Sequence, residues 1–368
     1  MMKILADSAI PYVEDYFASC GELVLKKGRA ITHDDVQDAD ILLVRTVTSV
    51  NADLLRNTNV KFVGTVTSGK DHLDIDWLEQ QGIAWADAKG FNAPAVADYV
   101  VSIVAALQRQ QRLSTHDLKA AVIGCGETGQ RTANYLRALG MLVITCDPLL
   151  AAQDSTFTHT VLADINDVDL ISLHVPLTHQ GQEATYQFIN KHFLSKQKTG
   201  CVLLNASRGE VIHLNDLWQY GRQLTWCFDV WPNEPHVDPA LLQAAYIATP
   251  HIAGYSVQSK MRGIRQIYDK MRKLGLICND AVSGTPQRQV LSFATLNPHW
   301  QDVVLGIFNP IVMTMLMRTA QDFDEMRRNF TYRHELANTT VELSSVLPLD
   351  RAVLTRLGVR INLTASPP

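Results

Sequence analysis

The sequence lacks paired cysteines, long apolar runs and an excess of charge of either sign. Its six cysteines stand singly among 368 residues and no Cys-x-x-Cys pair occurs, so neither a metal site nor a disulfide framework is indicated, and a cytoplasmic location fits. No run approaches about 18 consecutive apolar residues, so no transmembrane helix is expected. The 33 basic and 37 acidic side chains give a formal net charge of −4, which offers no general support for nucleic-acid or membrane partners.

Residues 119–147 carry the most informative pattern. An apolar run is followed by Gly124, Gly126 and Gly129, then by a helix-forming segment and a second apolar run that ends on Asp147. This spacing is typical of a pyrophosphate-binding turn: the first glycine allows the turn, the second lets the backbone approach the phosphates, and the third lets helix and strand pack closely. Free N–H groups and the helix dipole hold the negative charge. The pattern predicts a dinucleotide-binding unit.

Asp147 indicates which dinucleotide is bound. It lies 18 residues after Gly129, close to the spacing of about 20 expected for an acid on the adenosine ribose hydroxyls. A carboxylate there repels a 2′-phosphate, and the next residues, Pro148-Leu-Leu150, include no cation to receive one. We therefore expect NAD rather than NADP.

The order of predicted elements indicates an α/β protein of two or three domains. Apolar runs alternate with helical segments through residues 3–90 and again from residue 119, which predicts doubly wound parallel sheets with helices on both faces. Residues 281–368 differ, because a Gly, Ser and Pro cluster precedes an apolar patch at 303–317 and a charged helix at 323–330. We expect a third, small α+β domain there.

Polar residues follow two strands of the first unit. Arg45 and Thr46 follow one predicted strand, and Thr67 lies in the polar stretch that ends another. Ligands of open α/β sheets bind at the carboxyl ends of strands. An ordinary polar strand exit and an anion site built from a guanidinium, hydroxyls and loop N–H groups both fit this spacing.

Three further side chains lie just past strand ends in the dinucleotide half. They are Arg208, Glu234 and His251. Each alone fits an ordinary surface loop, but together they match the needs of hydride transfer from an alcohol. A histidine can take the hydroxyl proton, a carboxylate can fix its tautomer, and a guanidinium can grip a substrate carboxylate.

The order of motifs resembles the D-isomer-specific 2-hydroxyacid dehydrogenases over residues 1 to about 280. The motifs are the three-glycine turn, Asn205-Ala-Ser-Arg208-Gly-Glu-Val211, Asp229-Val-Trp-x-x-Glu234-Pro235 and Thr249-Pro-His251-Ile-Ala-Gly254. The resemblance implies a flavodoxin-like substrate domain at 1–93 and 254–280, a Rossmann NAD domain at 94–253, and a catalytic set of Arg208, Glu234 and His251. It also implies these NAD contacts: Gly124, Gly126, Glu127, Thr128, Gly129, Asp147, Val175, Ala206, Ser207, Asp229 and Gly254.

A narrower resemblance points to one branch of that family, which acts on a phosphorylated hydroxyacid and carries an extra C-terminal dimerisation domain. It rests on Arg45-Thr-Val-Thr48, Gly64-Thr-Val-Thr67-Ser-Gly69, His251-Ile-Ala-Gly-Tyr255-Ser and Phe323-Asp-Glu-Met-Arg-Arg-Asn-Phe-x-x-Arg333. It implies substrate contacts at Thr46, Thr67 and Tyr255, and we expect Arg45 to bind the phosphate. Val175 stands where a threonine often contacts NAD, and Phe91 stands where a cysteine is common.

The apolar patch at 303–317 predicts a homodimer joined through residues 281–368. So short a domain buries a small share of its surface, and two-fold dimers are the commonest way to cover the rest. The patch could instead fill only the domain's own core. For function, the alternatives are a dehydrogenase of the 3-phosphoglycerate type and a non-catalytic NAD-sensing protein on the same fold.

Overall fold

The computed structural model describes residues 1–277, 288–293, 297–320 and 322–363. The chain divides into two compact units, one formed by Met1–Asn92 with Val257–Pro286 and the other by Ala93–Ser256 with Gln287–Pro368. The C-terminal residues therefore group with the middle of the chain. Cys278, the cluster at 283–286 and the predicted boundary at 280–281 lie outside the described residues. The predicted functions of the three expected domains, namely substrate binding, NAD binding and dimerisation, stay predictions.

The described residues contain the following strands and helices. The strands are β1 (Lys3–Asp7), β2 (Glu22–Lys26), β3 (Ile41–Val44), β4 (Phe62–Thr65), β5 (Ala84–Asp87), β6 (Lys119–Ile123), β7 (Leu142–Cys146), β8 (Leu170–Leu173), β9 (Val202–Asn205), β10 (Thr225–Phe228), β11 (Ile247–Ala248), β12 (Gln289–Ser292), β13 (Thr339–Leu343) and β14 (Arg360–Leu363). The helices are α1 (Val13–Phe17), α2 (His33–Val36), α3 (Ala52–Leu55), α4 (Ile75–Gln80), α5 (Ala93–Arg109), α6 (Glu127–Ala138), α7 (Pro148–Gln153), α8 (Lys191–Leu194), α9 (Leu214–Tyr220), α10 (Pro239–Ala244), α11 (Val257–Lys273), α12 (Trp300–Ile307), α13 (Pro310–Thr319), α14 (Phe323–Asn329) and α15 (Pro348–Arg356).

The first unit is a five-stranded parallel sheet in the order β2-β1-β3-β4-β5. Successive side chains of a strand point to opposite faces, and β3 shows the consequence: Ile41 and Leu43 belong to one buried cluster, Leu42 and Val44 to the other. Helix α11 returns to this unit after the second sheet and packs near α1 and β5. The carboxyl ends of β3 and β4 carry the predicted anion-binding residues.

The second unit contains a six-stranded parallel sheet in the order β11-β10-β9-β8-β6-β7. The chain starts at β6, moves outward to β7 and then crosses back to β8, so the strand order reverses between β6 and β8. Such a switch point is where open α/β sheets bind their ligands. Helix α5 is buried on nearly all sides beneath this sheet, with fourteen of its seventeen residues buried. The predicted α/β class is confirmed.

Residues 288–363 add a three-stranded parallel sheet, β12-β13-β14, and helices that pack on α5 and β11. Within the described residues, Trp300–Thr319 is the one stretch long and apolar enough to cross a membrane by length and composition. It consists of two helices, however, because the helical geometry is interrupted at Phe308 and Asn309 before Pro310 begins α13. Val303 and Val304 of α12 are fully buried in the protein core.

Candidate active site

The three glycines after β6 occupy positions that need them. Gly124 has a φ of +84°, and a Cβ there would lie 2.6 Å from the backbone oxygen of His174. A Cβ on Gly129 would lie 1.8 Å from the oxygen of Gly124, so helix α6 can approach the turn this closely only with glycine. A Cβ on Gly126 would meet nothing within 4 Å, which leaves open space in front of the helix N-terminus. The turn therefore fits a pyrophosphate.

Asp147 ties the end of β7 to this turn. Its Oδ2 accepts a hydrogen bond from the backbone N–H of Cys125 at 2.8 Å, and its Oδ1 caps α7 by accepting from the N–H of Leu150 at 2.9 Å. A carboxylate has about four acceptor sites, so two bonds leave capacity for the ribose hydroxyls. The first turn of α7 contains no cation. The arrangement fits the predicted role in NAD binding.

The other predicted cofactor residues lie at the carboxyl ends of neighbouring strands or at the start of α6. Val175 follows β8, and its side chain would be 2.9 Å from a Cβ on Gly124. Ser207 follows β9, where its N–H and hydroxyl both bond to Oδ1 of Asn205, at 3.0 and 2.8 Å. Glu127 and Thr128 form the first turn of α6, and Ala206 is half-buried. The switch point of the sheet thus brings these residues to one edge.

His251 and Glu234 form a hydrogen-bonded pair at this edge. The Nδ1 of His251 lies 2.7 Å from Oε2 of Glu234, and the backbone N–H of Trp231 donates to Oε1 at 2.9 Å. Burial alone would raise the pKa of Glu234, but the charge of His251, the two hydrogen bonds and the charge of Arg327 together lower it below its usual value. The carboxylate is therefore kept ionised, and it fixes the ring so that Nε2 is the nitrogen available for proton transfer.

Asp229 accepts hydrogen bonds from the loop that carries His251. This buried carboxylate accepts from the Thr249 hydroxyl at 2.6 Å and from the N–H groups of Ile252 and Ala253 at 2.9 and 2.8 Å. Burial raises the pKa of Asp229. His251 itself has a φ of +56°, a conformation that a non-glycine residue keeps only where the surroundings impose it. The hydrogen bonds to Asp229 therefore fix the backbone of the loop that carries His251.

Gly209, the residue after Arg208, lies against the loop that carries Glu234. A Cβ on Gly209 would lie 2.1 Å from the backbone carbon of Trp231, so this contact between the two loops needs glycine. Arg208 itself is half-buried, and its Nη1 donates to the Ser207 oxygen at 2.8 Å. The structure therefore brings the loops of the three predicted catalytic residues together in one unit.

Residues near the C-terminus contact the loop that carries His251. No motif in the sequence indicates this contact. Arg333 is 6% exposed, and its guanidinium donates to the backbone oxygens of Ala95, Ala253 and Tyr255 at 2.6, 2.8 and 2.8 Å. Its backbone also pairs with Ser256 in a parallel bridge. Gly254 and Tyr255 therefore lie in a segment that is clamped by residues from the chain's end.

The predicted phosphate-binding residues lie in the first unit. Arg45 donates from Nε to Oδ2 of Asp7 at 2.7 Å, and Asp7 is fully buried. Thr46 is exposed. The hydroxyl of Thr67 lies 2.7 Å from that of Thr65 and donates to the Gly69 oxygen at 2.9 Å. Arg45 thus has a structural partner that the sequence did not reveal.

The comparisons with known proteins agree with the fold. Residues 97–253 match the NAD-binding domain of the D-isomer specific 2-hydroxyacid dehydrogenases. The solved structure of D-lactate dehydrogenase from Aquifex aeolicus, complexed with NAD and lactic acid, superposes with a TM-score of 0.61 at 24% identity; it covers 77% of this chain and 100% of that one. The fold and the site define a protein of this dehydrogenase class.

Closer relatives narrow the family. The erythronate-4-phosphate dehydrogenase of Coxiella burnetii (strain RSA 331 / Henzerling II) is 41% identical over 346 residues, which is 92% of this chain and 94% of the relative. That of Azotobacter vinelandii is 36% identical over 376 residues, covering 97% and 99%. The chain belongs to the erythronate-4-phosphate dehydrogenase family and is an NAD-dependent oxidoreductase.

Proposed function

We propose that this protein oxidises 4-phospho-D-erythronate to (R)-3-hydroxy-2-oxo-4-phosphobutanoate with NAD, as a step in making pyridoxal 5′-phosphate. The observation that carries the proposal is the 2.7 Å pair of His251 and Glu234 beside a dinucleotide turn, in a chain whose relatives over nearly its whole length are named for this substrate. That resemblance includes the C-terminal residues, which favours this substrate over 3-phosphoglycerate.

Three side chains would carry the chemistry. NAD, when bound, accepts the hydride from the carbon that bears the hydroxyl. His251 takes the hydroxyl proton on Nε2, because Nδ1 donates to Glu234. Glu234 stabilises the imidazolium that forms, and Arg208 grips the substrate carboxylate with its planar fork. In the reverse direction His251 returns the proton.

Tyr255, Thr46, Thr67 and Arg45 are proposed substrate contacts. The salt bridge between Arg45 and buried Asp7 changes how Arg45 has to be tested. Arg45→Ala would remove the partner of a buried carboxylate as well as a phosphate ligand, and such a loss destabilises by several kcal/mol. Arg45→Lys is the better variant, because it retains a charge for Asp7 while losing the fork.

The decisive experiment is a substrate panel followed by NADH absorbance. It compares 4-phospho-D-erythronate, 3-phosphoglycerate and unphosphorylated erythronate, with 2-oxo acids added in parallel as hydride acceptors in case NADH stays bound. We expect the first substrate to give the highest kcat/KM, and His251→Ala to lower turnover by about 10²–10⁴-fold while NAD binding survives. Absence of turnover with every acid, despite NAD binding, would favour a non-catalytic NAD-sensing protein.

A cytoplasmic homodimer without membrane or nucleic-acid partners is part of the proposal. Val312, Met315 and Leu316 lie on one face of α13 and are 52%, 63% and 52% exposed, an apolar stripe at helical spacing. We propose that a second copy covers it. Met315→Glu should convert the dimer to monomer in analytical ultracentrifugation. Retained dimers would move the interface elsewhere, and partition of the wild type into detergent would point to a membrane instead.

A further inference from the structure

Helix α14 brings a second guanidinium to the candidate active site. The Nη2 of Arg327 donates to the hydroxyl of Tyr255 at 3.0 Å, and its guanidinium carbon lies 5.7 Å from the centres of the Tyr255 and Phe323 rings. Arg327 is also close enough to Glu234 for the two charges to shift each other's pKa. The sequence motif at 323–333 includes Arg327 only as a mark of resemblance, without a role.

This cation is largely buried, and few polar groups contact it. Its side chain is 16% exposed, and its nearest carboxylate is Asp324 on the same helix, at 3.7 Å from Nη1. Nε is buried and has no hydrogen-bond partner among the described residues. Arginine has five N–H donors, of which one makes a hydrogen bond of ordinary length to another residue in the described part of the chain. A buried and incompletely satisfied charge is costly to keep, so a function that uses it is the best explanation.

The charge of the substrate supplies that function. A phosphorylated 2-hydroxyacid has two anionic ends. Arg208 is assigned to the carboxylate, and Arg45, the other cation proposed for the phosphate, already donates from Nε to Asp7 at 2.7 Å. We propose that Arg327, together with the Tyr255 hydroxyl, binds the phosphate of the substrate and thereby selects phosphorylated over unphosphorylated hydroxyacids. The identity of the anion rests on the proposed function, whereas the presence of an anion site rests on the geometry of Arg327.

The test compares Arg327→Ala with a matched control, Arg328→Ala. Arg328 is the next residue of the same helix, and its side chain is exposed. We expect Arg327→Ala to raise KM for the phosphorylated acid by about tenfold or more, the scale of one lost charged hydrogen bond. The kcat/KM for unphosphorylated erythronate should change by less than about threefold, and Arg328→Ala should leave both substrates near wild type.

Inorganic phosphate separates this inference from the proposed function. Its binding to the NAD-loaded enzyme, measured by calorimetry, should weaken about tenfold in Arg327→Ala and stay unchanged in Arg328→Ala. If the wild type oxidises no phosphorylated acid, the proposed function fails, yet this binding result still decides the role of Arg327. Unchanged phosphate binding, or equal losses of kcat for both substrates, would overturn the inference and make Arg327 a positioning residue. Arg327→Lys, with an intermediate loss expected, serves if the alanine variant does not fold.

Discussion

Replacing Glu234 by glutamine tests whether the His251–Glu234 pair acts in proton transfer, because both oxygens of Glu234 have defined hydrogen-bond donors. Both carboxylate oxygens of Glu234 accept, one from His251 Nδ1 at 2.7 Å and the other from the Trp231 N–H at 2.9 Å. Glutamine is nearly the same size, but it offers one acceptor oxygen and one NH2 donor. It therefore cannot satisfy both donors at once.

Two arrangements are open to the glutamine, and each has a measurable consequence. If the amide oxygen faces Trp231, the NH2 group faces Nδ1 of His251 and moves the ring proton to Nε2, where the histidine cannot act as a base. If the oxygen faces His251, the Trp231 N–H loses its acceptor, which costs about 1–3 kcal/mol of stability. In either case the negative charge that stabilises the imidazolium is lost. We expect kcat to fall about 10²–10⁴-fold, which is about 2.7–5.4 kcal/mol.

The assay is kcat for NADH formation together with the melting temperature as a function of pH. Because the folded-state pKa of Glu234 is lowered, its carboxylate contributes stability that is present above the unfolded pKa and is lost as pH falls through the folded pKa. The wild type should therefore exceed Glu234→Gln in stability near pH 7, and the difference should shrink in acid. A variant with kcat within about threefold of wild type would refute the proposed role of the pair.

Two further predictions concern the cofactor turn and the contact between loops. The kcat/KM with NAD should exceed that with NADP, and Asp147→Ser should narrow the difference, because the carboxylate that repels a 2′-phosphate is gone; equal use of both cofactors by the wild type would contradict this. Gly209→Ala should lower the melting temperature and kcat together, because the new Cβ would lie 2.1 Å from the Trp231 backbone carbon; a variant with wild-type melting and turnover would show that the two loops are not coupled.

Much of the fold could be predicted from the sequence because the two larger parallel sheets are buried on two faces. Such strands read as short apolar runs, and the runs at 120–123 and 41–44 correspond to β6 and β3. The edge strand β2 was not predicted, because it is half exposed and its two ends are charged. The third sheet was not located either. Its edge strand β14 alternates exposed polar and apolar residues, and edge strands give no continuous apolar signal.

The candidate site could be predicted where a single local motif carries the chemistry. The glycine turn was identified with a separate role for each glycine. The structure shows close contacts at Gly124 and Gly129 and open space at Gly126, which fit these roles. The positions of Arg208, Glu234 and His251 followed from strand ends that share one edge of a sheet. The partners of Asp229, Arg45 and Arg327 could not be predicted, because each pairing joins residues that are remote in sequence and depends on packing rather than on a motif.

The contacts of the C-terminal residues determine how a truncation experiment can be interpreted. The resemblance implies that hydride transfer needs only the two α/β units and that the dimer forms through residues 281–368. A truncation near residue 279, a point outside the described residues, is therefore expected to give a monomer or to aggregate through its uncovered surface. In the structure such a truncation would also remove Arg333 from the oxygens of Ala95, Ala253 and Tyr255, and Glu335 from the Ser256 hydroxyl at 2.7 Å. It would also expose the surface of helix α5 that packs against α12. Loss of activity after truncation would therefore not distinguish a dimer requirement from a collapsed catalytic loop. Substitution on the exposed face of α13 separates the two, because Val312, Met315 and Leu316 are exposed, whereas the hydrogen bonds to the segment after His251 come from Arg333 and Glu335.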